Sequence, residues 1–228
     1  MIYDDYFKHK IPEFNINNNL LLARPGLPFV FLTGILFLIA WFFDWCYFEA
    51  IFFIFLAFGV MFYRDPNRNP PPPGFGVAPA DGKIIRVDRE AVCPITEAKS
   101  TKISIFMNVF NVHVNRVPVN ARLDTQKYHA GTFSVASHDK ASDKNERNSL
   151  VLIDEKERQI TVVQIAGLLA RRIESWVKPG EYLTRGQRFG MIRFGSRVDI
   201  YVPPEADIMV NIGQTVKAGW SPIFRFPD

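Results

Sequence analysis

Apolar residues run almost unbroken from Leu27 to Tyr63, thirty-seven positions that carry two charges, Asp44 and Glu49. That is too long for one soluble helix. A bilayer core takes about 20 apolar residues per helix, with about 17 as the short limit. Leu27 to Phe43 and Phe48 to Tyr63 come close to that, and a break at Asp44 predicts a transmembrane helical hairpin over 27–63 behind a polar leader, 1–26. A shallow re-entrant hairpin is the alternative, because both spans are short. Lys8, Lys10 and Arg24 precede the first run and Arg64 and Arg68 follow the second, so the positive-inside rule puts both flanks in the cytoplasm. Trp41 and Trp45 fall near the turn, at interface depth. The run starts late and lacks a small-residue cleavage site, which argues against a signal peptide.

Beyond Tyr63 the pattern changes. "RDPNRNPPPPGFG", residues 64–76, is a linker whose consecutive prolines favour a stiff extended rod. From Val77 to the end, short alternating runs predict strands: "KIIRV" at 83–87, "TKISIFM" at 101–107, "SLVLID" at 149–154, "ITVVQIA" at 160–166 and "RVDIYV" at 197–202. Turn signals between them predict a mainly β domain over 77–228. Two segments repeat each other, "VKPGEYLTRG" at 177–186 and "VNIGQTVKAG" at 210–219, each a glycine turn, a short strand and a second glycine turn. Such a repeat gives the domain a barrel-sandwich, lipoyl-like character. A lipoyl carrier is one rival function, but Lys140 precedes both copies instead of standing between them.

Composition narrows the partners. The net charge of +4 and a pI near 9.1 suit a surface that meets anionic headgroups. Nucleic acid is not expected, for want of a helix-turn-helix, zinc finger or basic-aromatic ribbon. Cys46 and Cys93 fall in the hairpin and the β domain and are not expected to pair, and no metal-spaced Cys or His cluster is present.

The residues able to carry chemistry are bland one at a time. His9 lies in the leader, His138 in a polar loop, and His129 before a glycine turn. His113 falls in the alternating run "FMNVFNVHVNRVPV", where a strand would place it on one face with Asn111 and Asn115. Asp81 in "PADGKI" reads as a tight Asp-Gly turn. "NER", Asn145 to Arg147, passes as a solvated charge cluster. In "MIRFGSRVDIYVP", Gly195-Ser196-Arg197 interrupts two strand-like runs and reads as a turn.

Their order says more. "FYRDPNRNPP", "PADGKI", "NVFNVHVNRVPV", "YHAGTFSVA", "NERN", "VVQIAGLLARRI" and "GQRFGMIRFGSRVD" follow one another as in the short form of the phosphatidylserine decarboxylase family, which this chain resembles over nearly its whole length after the linker. The resemblance implies a proenzyme that makes its own cofactor. Ser196 would attack the Gly195 carbonyl and end as a covalent pyruvoyl group on a small chain, 196–228, while residues 1–195 form the large, membrane-bound chain. A serine hydroxyl needs a base oriented by a third group, and His113 with Asp81 would supply that pair. His113 would also donate the proton after loss of carbon dioxide. The substrate implied is phosphatidylserine in the cell (inner) membrane, with the catalytic domain on the cytoplasmic side and the product phosphatidylethanolamine; a homodimer would be compatible.

Two departures bear on the roles. Longer members of the family carry H-x-x-H where this sequence has His113 and then Arg116, so either His113 serves twice or His129 fills the gap. Arg116 would then be a partner for the lipid phosphate or serine carboxylate. Arg197 follows Ser196 where longer members have Thr or Ser, as the short form often does. The other rival is a membrane adaptor on the same sandwich, with Gly195-Ser196 a plain turn.

Overall fold

The computed structural model describes residues 21–131, 145–167, 172–193 and 196–227. The chain divides between Asn67 and Arg68, inside the proline-rich segment, into two compact units. Leader residues Lys8, His9 and Lys10, loop residues His138 and Lys140, and Gly195 lie outside the described residues.

The unit of residues 17–67 holds two apolar helices, α1 (Leu27–Phe42), entered through a 3-10 turn at Arg24–Gly26, and α2 (Cys46–Phe62). The chain reverses at Asp44, whose φ of 52° is left-handed, so the break between the two helices falls at Asp44. α2 runs back along α1. Phe29 packs on Gly59, Leu56 approaches Gly34, and the Phe37 and Phe53 rings stand 5.9 Å apart. A side chain at Gly59 would meet the Phe29 ring at 2.7 Å, so the close approach requires glycine there. The Thr33 hydroxyl donates to the Phe29 carbonyl at 2.8 Å and leaves no unmade bond in the apolar surroundings. Phe31, Leu38, Phe42, Ile54 and Phe55 are exposed, an apolar surface of the kind that seeks lipid or another protein. By length and composition the helical stretch Arg24–Phe42 is able to cross a bilayer, while Cys46–Phe62 is shorter.

The second unit is β1 (Phe75–Val77), β2 (Gly82–Val92), β3 (Lys99–Met107), β4 (Val114–Arg116), β5 (Ala121–His129), β6 (Arg147–Asp154), β7 (Gln159–Ile165), β8 (Ile173–Ser175), β9 (Tyr182–Leu183), β10 (Arg188–Ile192), β11 (Ser196–Val202), β12 (Asp207–Ile208), β13 (Thr215–Val216) and β14 (Pro222–Arg225). All five predicted strands are present. Eight strands form one sheet in the order β13-β2-β3-β11-β7-β6-β5-β9, curled into a half-barrel; β4-β10-β8 and β1-β14-β12 form two smaller sheets. Side chains alternate across a strand, and one face of the large sheet carries the core: Ile103 and Ile105, Val198 and Ile200, Ile160 and Val162, Leu150 and Leu152.

The repeat is structural. Its two short strands, β9 and β13, occupy opposite edges of the large sheet. The first glycines, Gly180 and Gly213, donate to the carbonyls of Leu123 and Ile84; the second, Gly186 and Gly219, donate to those of Val117 and Ala78. Gly180 and Gly213 have φ near +90° and +93°, which only glycine adopts cheaply.

Two local expectations need correction. The run around His113 is not one strand: β3 ends at Met107, the Asn111 side chain accepts from the Asn108 amide to close a turn, and β4 begins after His113. Asp81-Gly82 is not a hairpin turn but the start of β2, where a Cβ on residue 82 would stand 2.1 Å from the Phe106 carbonyl oxygen. From Arg68 onward the proline segment is tied down. Arg185 donates to the carbonyls of Pro71, Pro72 and Phe75 at 2.5–3.0 Å and ties it to the β domain.

Candidate active site

Ser196 opens β11, opposite Met107 at the end of β3. Directly opposed residues of an antiparallel pair point to the same face. Ser196 thus continues the inward row of Val198 and Ile200, and its Oγ is buried with no hydrogen-bond partner among the described residues. An unmade bond at a buried hydroxyl costs about 1–3 kcal/mol. The strands on either side, β10 and β11, do not pair with each other: β10 lies between β4 and β8, β11 between β3 and β7. Ser196 therefore opens a strand of the large sheet, while the strand before it belongs to a small one; Gly195, and with it the turn expected at Gly195-Ser196, lies outside the described residues.

Arg197 points the other way. Its guanidinium engages Asp199 through Nε–Oδ1 at 2.9 Å and Nη2–Oδ2 at 3.0 Å, both residues buried, with the Lys102 ammonium 3.9 Å from Asp199. Alternation keeps this charge cluster on the opposite face of β11 from Ser196.

His113 is wholly buried, and its carbonyl accepts from the Ile192 amide at 3.3 Å, just ahead of the β4–β10 pairing of Val114 with Met191. Two residues on, Asn115 sends its amide to the Met107 sulfur at 3.7 Å. The segment that carries His113 is thus fastened to the residue across from Ser196.

Both carboxylate oxygens of Asp81 are engaged. Oδ1 and Oδ2 accept from Arg68 at 2.5 and 2.9 Å, and Oδ1 accepts from the Ala218 amide at 2.8 Å. The same guanidinium donates to the Ala218 carbonyl. Asp81 so binds the start of β2 to the second repeat. Arg116 is also interior: its Nη1 donates to the Gly186 carbonyl at 3.0 Å, and a Cβ on Gly219 would strike its Cδ at 2.6 Å. It bridges the closing turns of both repeat copies. His129 ends β5, exposed, opposite Arg147.

The "NER" segment is not solvated. Asn145 and Glu146 are buried; Asn145 donates to the Ala166 carbonyl at 2.7 Å, and Glu146 Oε1 accepts from the Tyr128 hydroxyl at 2.9 Å and the Ile173 amide at 3.1 Å. Loss of hydration at the phenol, and then the Glu146 carboxylate, raise the Tyr128 pKa, against a smaller lowering by Arg172. Desolvation likewise lowers that of Arg185.

A line of buried amides was missed altogether. Gln126 donates to Asn148 at 3.1 Å, Asn148 to Gln164 at 2.8 Å, and Gln164 to Asn115 at 2.8 Å, where the line reaches Met107. Asn148, Gln164 and Asn115 are 0–1% exposed. The only trace in sequence is a polar residue at an inward position of each of two apolar runs, Asn148 in β6 and Gln164 in β7.

Comparison with known proteins shows the family. The phosphatidylserine decarboxylase family matches over residues 55–223. A phosphatidylserine decarboxylase proenzyme of Syntrophus aciditrophicus is 43% identical over 207 residues, 90% of this chain and 97% of its own length. Proteins of the same description from Oleidesulfovibrio alaskensis and Nitrosomonas eutropha are 48% identical over 200 residues and 45% over 208, covering 87% and 90% of this chain and 91% and 95% of theirs. The matched span takes in β1 to β13 with Ser196, His113 and the amide line, and the chain belongs to the phosphatidylserine decarboxylase family.

Proposed function

We propose that this chain is a self-processing, pyruvoyl-dependent phosphatidylserine decarboxylase that forms phosphatidylethanolamine at the cytoplasmic face of the cell membrane. The observation that carries the reading is the family match spanning 55–223; Ser196, buried at the start of β11, is the residue assigned to react. The buried Oγ makes no hydrogen bond among the described residues, which is compatible with a reacting group; Ser104 and Ser175 share that trait, so it supports the reading only beside the family match.

In the proposed processing, Ser196 Oγ attacks the Gly195 carbonyl carbon, the peptide C–N bond breaks and an ester forms. The hydroxyl proton passes through a base to the freed nitrogen. Loss of the Cα proton then cleaves the Oγ–Cβ bond and releases the Gly195 carboxylate; water takes the nitrogen as ammonia and leaves a pyruvoyl group on the chain 196–228. That group supplies a carbonyl electron sink for loss of carbon dioxide from an amino-acid headgroup.

The chain's own residues handle protons and position. His113 is assigned as the base for Oγ and as donor to the headgroup carbon that has lost carbon dioxide; its burial and its coupling through Asn115 to Met107 support this over the exposed His129. Asp81 acts by holding the β2 start against Ala218 with Arg68, and Arg116 as a strut between the repeats instead of at the lipid phosphate. The paired repeats support the barrel-sandwich description of the domain. Anchoring by a spanning hairpin suits the substrate. Each methylene drawn out of the bilayer costs about 0.8 kcal/mol, so a site that takes only the headgroup leaves both acyl chains where they are and avoids that cost.

The test is intact mass of the purified full chain beside Ser196→Ala, with phosphatidylserine vesicles as substrate. Expected are fragments 1–195 and 196–228, the smaller blocked by pyruvoyl, carbon dioxide release, and an uncut, inactive variant. A full-length chain with no turnover would favour the adaptor reading.

A further inference from the structure

The buried amides have a direction that the geometry fixes. A thioether sulfur only accepts, so Asn115 must present Nδ2 to Met107 and its Oδ1 to Gln164. Gln164 must then donate with Nε2 and accept from Asn148 with Oε1. Gln126 donates into the line, each of Asn148, Gln164 and Asn115 accepts at oxygen and donates at nitrogen, and the last donor ends on a weak acceptor at the residue opposite Ser196.

Such a line is costly to keep. A core position loses nothing by being apolar, whereas a buried polar network must be satisfied at every member. Room has been made for this one: a Cβ on Gly190 would come within 3.2 Å of Gln164 Nε2 and 2.3 Å of the Glu174 carbonyl. The line joins two sheets that share no paired strands. Asn148 and Gln164 sit on the large sheet, Asn115 on β4 of the small one, and Gln164 faces Val198, two residues along β11 from Ser196. His113 and Asn115 are two apart in the same segment. Whatever fixes Asn115 therefore fixes where His113 stands relative to Ser196.

We propose that Gln164, acting through Asn115, is a positioning residue for scission at Gly195-Ser196: it locks the His113 segment to the Met107–Ser196 end of the large sheet. This rests on the self-processing reading above. Gln164→Glu probes it without changing size. A protonated carboxyl accepts from Asn148 and donates to Asn115 as glutamine does, but a carboxylate cannot donate and sets its charge against Asn115 Oδ1. Gln164→Leu removes both bonds at similar volume.

The experiment follows splitting of freshly translated, full-length proenzyme in nanodiscs from pH 5 to 9, for wild type and both variants, with thermal unfolding measured on the same chains blocked by Ser196→Ala. The Gln164→Glu rate relative to wild type should be near one at low pH and fall by about tenfold or more as the carboxyl ionises, with an unfolding midpoint that does not follow it. Gln164→Leu should be slow at every pH. A flat ratio, or a ratio whose fall is matched by the unfolding midpoint, would overturn the proposal while wild type still splits. A wild-type chain that stays whole would overturn the self-processing reading and this inference with it.

Discussion

The Arg68–Asp81 pair decides more than its two residues. Side-chain exposure is 11% and 10%, and the pair closes a ring with both backbone polar groups of Ala218. Removing one partner of a buried pair leaves an uncompensated charge and costs about 3–5 kcal/mol, more than the pair itself contributes. Arg68→Ala is therefore expected to destabilise the β domain by about 3 kcal/mol, and Arg68→Ala with Asp81→Asn by less than the single change; chemical denaturation of the Ser196→Ala chain reads both. Equal losses would mean that Asp81 finds another cation. None of this was legible in "PADGKI", where Asp-Gly has a good local explanation as a turn. The glycine is needed for a contact with Phe106 and the aspartate for one with Ala218, 24 and 137 residues away. Ser196 stood out in sequence only through its place in a family order, since an orphaned hydroxyl is a property of the sheet around it.

Elements whose pattern is internal were readable; elements defined by partners were not. The five alternating runs became strands because period-two patterning needs no knowledge of the neighbour. β4, β8, β9, β12 and β13 are two or three residues long and exist because another strand or a repeat turn lies beside them. The end of β5 shows what such a partner does. Tyr128 and the Ile173 amide at the start of β8 share Glu146 Oε1, so one carboxylate fastens three elements. The phenol must be neutral to donate. Its folded pKa is raised above the ordinary 10.0, so the contribution is fully present below pH about 10 and is lost as pH climbs through the raised value. Tyr128→Phe should match wild type less a constant at pH 7–9 and converge with it at higher pH. Parallel stability curves through pH 11 would show that the Glu146 contact carries no weight.

At the scale of the whole molecule, the proposed insertion of the apolar unit into a bilayer can be tested for depth, and the chain carries its own probe. Cys46, the first residue of α2, is exposed beside the turn at Asp44, whereas Cys93 is buried in the β domain. If both helices span, with Arg24 at one end and Arg64 and Arg68 at the other on the cytoplasmic side, Cys46 lies at the far face. A 17-residue helix rises about 25 Å at 1.5 Å per residue, a little short of the roughly 30 Å hydrocarbon core. Such mismatch is met by thinning the bilayer at a fraction of a kcal/mol per ångström, which a hairpin with exposed phenylalanines on both helices can offset. In a Cys93→Ser background, a membrane-impermeant maleimide added to sealed spheroplasts should therefore label Cys46 before the cells are opened. Labelling only after permeabilisation would place the turn inside one leaflet or on the inner face. The β domain would then meet its lipid from a re-entrant anchor, and chemistry at Ser196 would stand unchanged because every contact described around it lies within residues 68–228.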